Sequence, residues 1–114
     1  MKTFSMELKD LEKLEKDTRR ELSIDLYNLQ HFFIEEPHNI YLLSLLTESY
    51  SLKSKLILEL VEILREAQDI EEKDGKKVVP LEEKSLIFLQ TAVIAKLQVA
   101  RDLAQISRIS DREV

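Results

Sequence analysis

Glycine and proline are almost absent from this chain of 114 residues, which contains one glycine and two prolines. An all-β sandwich or barrel needs a turn about every 8–12 residues, and so few turn-forming residues nearly exclude that class. A glycine-rich phosphate loop is excluded as well, because Gly75 has no second glycine near it. The strong breaks are Pro37 and the pair Asp74-Gly75, which divide the chain into three blocks.

Each block carries apolar residues at the three- and four-residue spacing that is typical of helices. We expect helical blocks over residues 4–36, 39–72 and 80–109, and we expect residues 110–114 to fray. The fold predicted for residues 1–114 is all-α, a single domain built as an elongated antiparallel bundle of three long helices.

The ends of these helices follow from capping residues. The first block is either one bent helix or two helices, because Thr18 with Glu21 fits a capping box and Ser23 could cap a helix. Asn39 is a better cap for the second block than His38. Pro80 suits the first turn of the third helix, where Glu82 and Glu83 would lie near the positive end of the helix dipole.

The second block is apolar over a wider arc than the single stripe of a surface helix. We therefore predict that it is the central helix, or that it also meets another chain. A slender bundle of three rods has little interior, so a partner chain is the simplest cover for the excess apolar surface. The residues predicted to form this partner interface are Tyr27, Phe32, Leu42, Leu45, Tyr50, Leu52, Leu56 and Ile63.

Charge and composition argue against several partners. The chain has 17 basic and 22 acidic residues, a net charge of −5, so we expect no sequence-specific nucleic-acid binding. The lysine pair at 76–77 is better explained as a soluble loop than as a phosphate contact. No segment reaches the length of an apolar membrane span, and the start lacks a signal-peptide pattern, so we expect a cytoplasmic protein.

Candidate catalytic and metal-binding residues are sparse. The absence of cysteine excludes thiolate zinc sites and cysteine nucleophiles. His31 and Glu35 have the four-residue spacing of a ligand pair, but two ligands at a helix end are more often solvated than metal-bound. Paired carboxylates such as those at 35–36, 71–72 and 82–83 lie at helix ends. We predict a protein without enzymatic activity and without a cofactor.

Three segments resemble a known family. The stretch ELSIDLY at 21–27 resembles the entry into the second helix of GINS subunits. LKSKLIL at 52–58 is similar to the basic-apolar stretch of that family's long central helix, and PLEEKSL at 80–86 resembles the start of the next helix. The resemblance covers residues 6–108, the family's helical domain.

This resemblance implies an archaeal-type GINS subunit, a non-catalytic scaffold in DNA replication. Its partners would be sister subunits, the replicative helicase or a Cdc45-like protein, and it would be associated with the nucleoid. The alternative hypothesis is a self-associating homodimeric helical bundle with a regulatory or structural role. Both hypotheses make the chain part of an oligomer, whether hetero- or homo-oligomeric.

Overall fold

The computed structural model describes residues 4–67 and 70–113, with side chains given as far as residue 106. Three long helices dominate it, as the spacing of apolar residues predicts. The helices are α1 (Leu8–Glu35), α2 (Ile40–Glu66) and α3 (Glu83–Glu113), and the strands are β1 (Phe4–Glu7), β2 (Glu71–Lys73) and β3 (Lys76–Leu81).

The all-α prediction is wrong in one respect, because the three strands form a small antiparallel sheet in the order β1-β3-β2. Asp74 and Gly75 both have positive φ angles, 53° and 76°, as a tight two-residue hairpin turn requires. Val78 and Val79 then supply β-branched side chains, both buried, to the central strand. Residues 4–7, 71–72 and 80–81, predicted as helix, are therefore strand residues.

The helix boundaries settle three further predictions. α1 is continuous from Leu8 to Glu35, so the two-helix alternative for the first block is wrong. Ser23 does not cap a helix, because its Oγ donates a hydrogen bond to the Arg19 carbonyl one turn earlier. α3 is helical as far as Glu113, beyond the predicted end at 109, and residue 114 lies outside the described residues.

Helix-start preferences predict Asn39 as the cap of α2 and Pro80 in the first turn of α3, and the structure confirms only the first. Asn39 is the N-cap of α2, and its Oδ1 accepts a hydrogen bond from the Leu42 amide at 3.2 Å, which confirms the prediction. Pro80 lies in β3, opposite Ser5, and not in the first turn of α3. It is tolerated in the central strand because β2 pairs only with residues 76–78 of β3, leaving that side of Pro80 unpaired.

The main apolar core lies at the end of the molecule that carries the sheet, which we call the sheet end. α1, α2, β3 and α3 all contribute to it. Its buried residues are Leu11, Leu56, Leu60, Val79, Leu81, Leu89 and Ala92. The opposite end, where α1 turns into α2, is called the turn end.

The bundle is elongated, with extents of 54 × 22 × 21 Å. Its radius of gyration is 17.2 Å, whereas a compact domain of this length has a radius of about 13 Å. α2 lies between the other two helices and packs against both, as its wide apolar arc predicts. α1 and α3 pack directly against α2 far more than against each other, so a groove remains between them.

Candidate interaction surface

An ion pair is buried between α1 and α2 in the half of the molecule next to the turn end. Asp25 Oδ2 accepts hydrogen bonds from Lys53 Nζ at 2.8 Å and from Ser49 Oγ at 2.6 Å. The side chains of Asp25 and Lys53 are only 6% and 11% exposed. Ser49 and Lys53 are four residues apart on α2, so one face of that helix presents both donors to the same carboxylate oxygen.

This pair constrains how α1 meets α2. Removing two charges from water is expensive, and their attraction recovers that cost only when the geometry is good. Sliding one helix past the other by a turn, about 5.4 Å, would separate Asp25 from Lys53 and leave two unpaired charges in the interior. The pair therefore penalises wrong registers strongly, whatever its net contribution to stability.

Two further polar residues continue this inner face of α1 toward the sheet end. Thr18 is fully buried, and its Oγ1 has no hydrogen-bond partner within the part of the chain that the structure describes. Glu21 Oε2 lies 2.9 Å from Lys96 Nζ of α3, at angles outside those of a hydrogen bond, so the contact is an ion pair only. The spacing of Thr18, Glu21 and Asp25 places them on one side of the helix.

Large apolar side chains lie on the outside of the same half. Seven of them, from α1 and the first turn of α2, are between 44% and 75% exposed. They are Ile24, Leu26, Tyr27, Phe33, Ile34, Ile40 and Tyr41. This half thus buries one ion pair beside Leu42, Leu45 and Leu46, which are at most 7% exposed, and leaves seven large apolar side chains outside.

Part of this apolar surface is continuous around the turn. Two adjoining shallow hollows share Leu29 and Phe33, and the larger one also reaches the first turns of α2. We call this surface the turn-end patch, and its apolar residues are Leu29, Phe33, Ile34, Ile40 and Leu43.

A second apolar surface lies in the groove between α1 and α3. Its lining is almost entirely aliphatic, with one amide side chain, Gln90. We call it the α1–α3 groove, and its apolar residues are Met6, Leu14, Leu86, Leu89, Val93 and Ile94.

His31, considered as a possible metal ligand, lies in a row of aromatic rings. It stacks on Tyr27 with ring centroids 6.2 Å apart and meets Phe32 edge-on at 5.0 Å. Over residues 4–67 and 70–106, no three His, Asp or Glu side chains gather as metal ligands would. In the same ranges, no helix combines the length and apolarity needed to cross a bilayer.

The residues predicted to form a partner interface are not brought together on one surface. Leu42, Leu45 and Leu56 are at most 7% exposed, because the other elements of the chain cover them. Tyr27 is exposed. The remaining four are partly buried, namely Phe32, Tyr50, Leu52 and Ile63. Of these, Leu52 and Ile63 pack against the sheet-end core. The wide apolar arc of α2 is thus largely used within the chain, between α1, α3 and the sheet.

The sequence-based predictions do not include the buried ion pair, although the sequence contains a signal for it. Leu46, Ser49, Lys53, Leu56 and Leu60 follow one another at the spacing of an inward-facing helical stripe. A lysine inside such a stripe needs an acidic partner from another helix, and Asp25 interrupts the inner face of α1 seven residues after Thr18. The exposed residues of the turn-end patch carried no comparable signal.

Comparison with known proteins identifies no relative. No protein-family model matches the chain, and neither a curated protein nor a solved structure matches it.

Proposed function

We propose that this protein is a non-catalytic interaction subunit that docks a partner protein on its turn end. The observation that carries this proposal is the exposed apolar surface there, where seven large apolar side chains are between 44% and 75% exposed. Contiguous exposed apolar surface on a water-soluble chain is characteristic of protein-binding sites.

The amount of exposed surface supports the same conclusion. The chain has an accessible surface of 8341 Å². A compact monomer of 13.4 kDa has about 6,500 Å², so this molecule exposes about 1,800 Å² more. A stable protein–protein interface covers about 800 Å² on each partner, so the excess is enough for two such interfaces.

The chemistry of the turn-end patch indicates the kind of partner. Its hollow is lined by Leu29, Phe33, Ile40 and Leu43 on the apolar side and by Ser44, Thr47, Glu48 and Ser51 along one edge. An apolar centre with a polar rim is the usual anatomy of a protein interface. An amphipathic helix of a partner protein matches this shape and polarity.

The specific form of this proposal is a GINS-like scaffold in DNA replication. It rests on the residues at 21–27, 52–58 and 80–86 alone, and its partners would be sister subunits, the replicative helicase or a Cdc45-like protein. The alternative is a homodimeric bundle, and a separate face of α3, described below, favours self-association.

Co-purification of tagged variants with defined partners tests the proposal. We expect the wild-type chain to retain the replicative helicase or sister GINS-type subunits of its own source, and Phe33→Glu to lose them. Phe33 is 69% exposed, so the variant should unfold at the same temperature as the wild type. Leu58→Glu is a matched control, because Leu58 is also 69% exposed but lies outside the patch.

The two parts of the proposal fail in different ways. Retention by Phe33→Glu as strong as by the wild type would contradict docking at the turn end. Absence of the replication proteins from wild-type complexes, with other proteins lost on Phe33→Glu substitution, would contradict the GINS-like role and keep the docking surface.

A further inference from the structure

α3 carries a second apolar stripe on the side that faces away from α2. Its inward face holds Leu89, Ala92 and Val99, which are at most 5% exposed. On the opposite side, Ile87, Ile94 and Leu97 are 54%, 68% and 56% exposed. α3 is therefore apolar on two sides, and only one of them is covered within the chain.

The outer stripe has the spacing of a coiled-coil seam. Its residues follow at alternating steps of three and four, the pattern that presents one row of side chains to a partner helix. All six are exposed, and in chain order they are Ile87, Gln90, Ile94, Leu97, Arg101 and Ala104. We call this row the α3 seam.

We propose that the α3 seam binds the same seam of a second copy of the chain in antiparallel orientation. The occupant is identified by self-complementarity. In an antiparallel pair, a seam residue that precedes a three-residue step faces one that follows such a step on the other helix. A two-fold axis between Ala95 and Lys96 therefore places Ile94 against Leu97 of the second copy. The same axis places Ile87 against Ala104 and Gln90 against Arg101, so apolar meets apolar and polar meets polar.

A parallel pair is disfavoured by the same residues. It would place Arg101 beside Arg101 and Gln90 beside Gln90, with two like charges within a shared apolar row. In the antiparallel pair the two arginines are about 11 residues apart along the axis, or about 16 Å, and each faces an amide that can accept a hydrogen bond. Antiparallel helices also align their dipoles favourably.

The residues beside the seam extend the contact. Leu86, Val93 and Ala100 lie along one edge of the seam, and the first two also line the α1–α3 groove. A second helix lying on the seam would therefore also cover that groove.

This dimer would place the two turn ends at opposite poles. α1 and α3 both start at the sheet and run in the same direction. Glu21 and Lys96, which pair across the groove, each lie 13 residues beyond the first residue of their helix. Reversing one α3 against the other reverses the whole protomer. A scaffold of this form would carry two turn-end patches facing away from each other.

Sedimentation equilibrium of the purified full chain tests the proposal without any partner. We expect a monomer–dimer equilibrium in the micromolar range, weakened about 100-fold by Ile94→Glu, because each dimer would bury two unpaired carboxylates. Leu58→Glu is again the matched control, since Leu58 and Ile94 are equally exposed, and it should leave the dimer unchanged. A wild-type chain that stays monomeric up to millimolar concentration, or a dimer unaffected by Ile94→Glu, would overturn the proposal.

Disulfide trapping tests the orientation, and the chain has no native cysteine to interfere. We expect the double variant Ile87→Cys/Ala104→Cys to form a covalent dimer on oxidation and Ile87→Cys alone to form none. In the antiparallel register the two copies of position 87 are about 26 Å apart, whereas a disulfide needs Cα atoms within about 7 Å. Efficient cross-linking of Ile87→Cys alone would overturn the antiparallel register.

These measurements are independent of the proposed function. A chain that sediments as a monomer but binds a partner protein through Phe33 would contradict the α3 dimer and support docking at the turn end. A chain that dimerises but retains no partner protein would support the α3 dimer and contradict docking at the turn end.

Discussion

The sheet end and the turn end of this bundle differ in how completely the chain covers their large apolar side chains. At the sheet end, Leu11, Leu56, Leu60 and Leu89 are at most 2% exposed, and the buried cluster they belong to is entirely apolar. Toward the turn end, Leu42, Leu45 and Leu46 are buried as well, but the interior also holds the Asp25–Lys53 ion pair, and seven large apolar side chains stay exposed. The same three helices thus form an apolar core that the chain covers by itself at one end, and an exposed apolar surface suited to a partner at the other.

The difference shows where stability and specificity are located in the molecule. Burial of apolar surface, which is a non-directional interaction, stabilises the sheet end. The Asp25–Lys53 pair adds less net stability, but it makes other registers costly. We therefore expect substitutions at the sheet end to change the free energy of unfolding most, and substitutions on the outside of the turn end to change binding most.

The largest expected effect is that of a charge placed in the sheet-end core. Leu56→Asp would bury an unpaired carboxylate at a fully buried position, at a cost of at least about 4 kcal/mol, which is a large share of the stability of a small domain. Chemical denaturation followed by circular dichroism measures the loss. Leu58→Asp, two residues away and mostly exposed, should shift the free energy of unfolding by less than about 0.5 kcal/mol. Equal stability of the two variants would show that the sheet-end core is misplaced.

A double-mutant cycle on the buried pair gives the next largest effect. Lys53→Met leaves Asp25 without its cation, and we expect a loss of about 3–5 kcal/mol in the free energy of unfolding. Adding Asp25→Leu to the same chain should restore stability to within about 1 kcal/mol of the wild type, because no charge then remains buried. Ser49 can redirect its hydroxyl to the carbonyl one turn earlier in α2. A double variant as unstable as Lys53→Met would mean that the pair itself supplies the stability.

The helices were predictable from the sequence because their signals are local. Apolar spacing identifies three long helices, and an asparagine after Pro37 identifies the cap of α2. The hairpin also had a local signal, since Asp-Gly followed by Val78 and Val79 is typical of a tight turn and a strand. The sequence nevertheless predicts a loop there, because the flanking residues of β2, Glu71–Lys73, are poor strand formers and continue the helical pattern of the second block.

The surfaces were not predictable in the same way, because they depend on how the helices rotate against one another. In the first block, the helical spacing of three and four residues runs through Leu8, Leu11, Leu14, Thr18, Leu22, Leu26, Leu29 and Phe33. In the structure this row is buried at Leu11 and Thr18, but Leu26 and Phe33 are exposed, and the inner face continues through Asp25, which pairs with Lys53 of α2. A pairing between distant residues decides this rotation, and local spacing carries no information about it.

The smallest expected effect separates the turn itself from the patch beside it. Asn39→Ala removes the side-chain acceptor of the Leu42 amide at the start of α2, and we expect a loss of about 1 kcal/mol. Hydrogen exchange should become faster at the Leu42 amide while the amides of α2 near Leu56 stay protected, because a lost cap frays only the first turn. Asn39→Asp keeps an acceptor and should behave as the wild type does. Loss of protection throughout α2 in Asn39→Ala would show that the two ends unfold as one unit, and that the turn end has no separate stability for a partner to change.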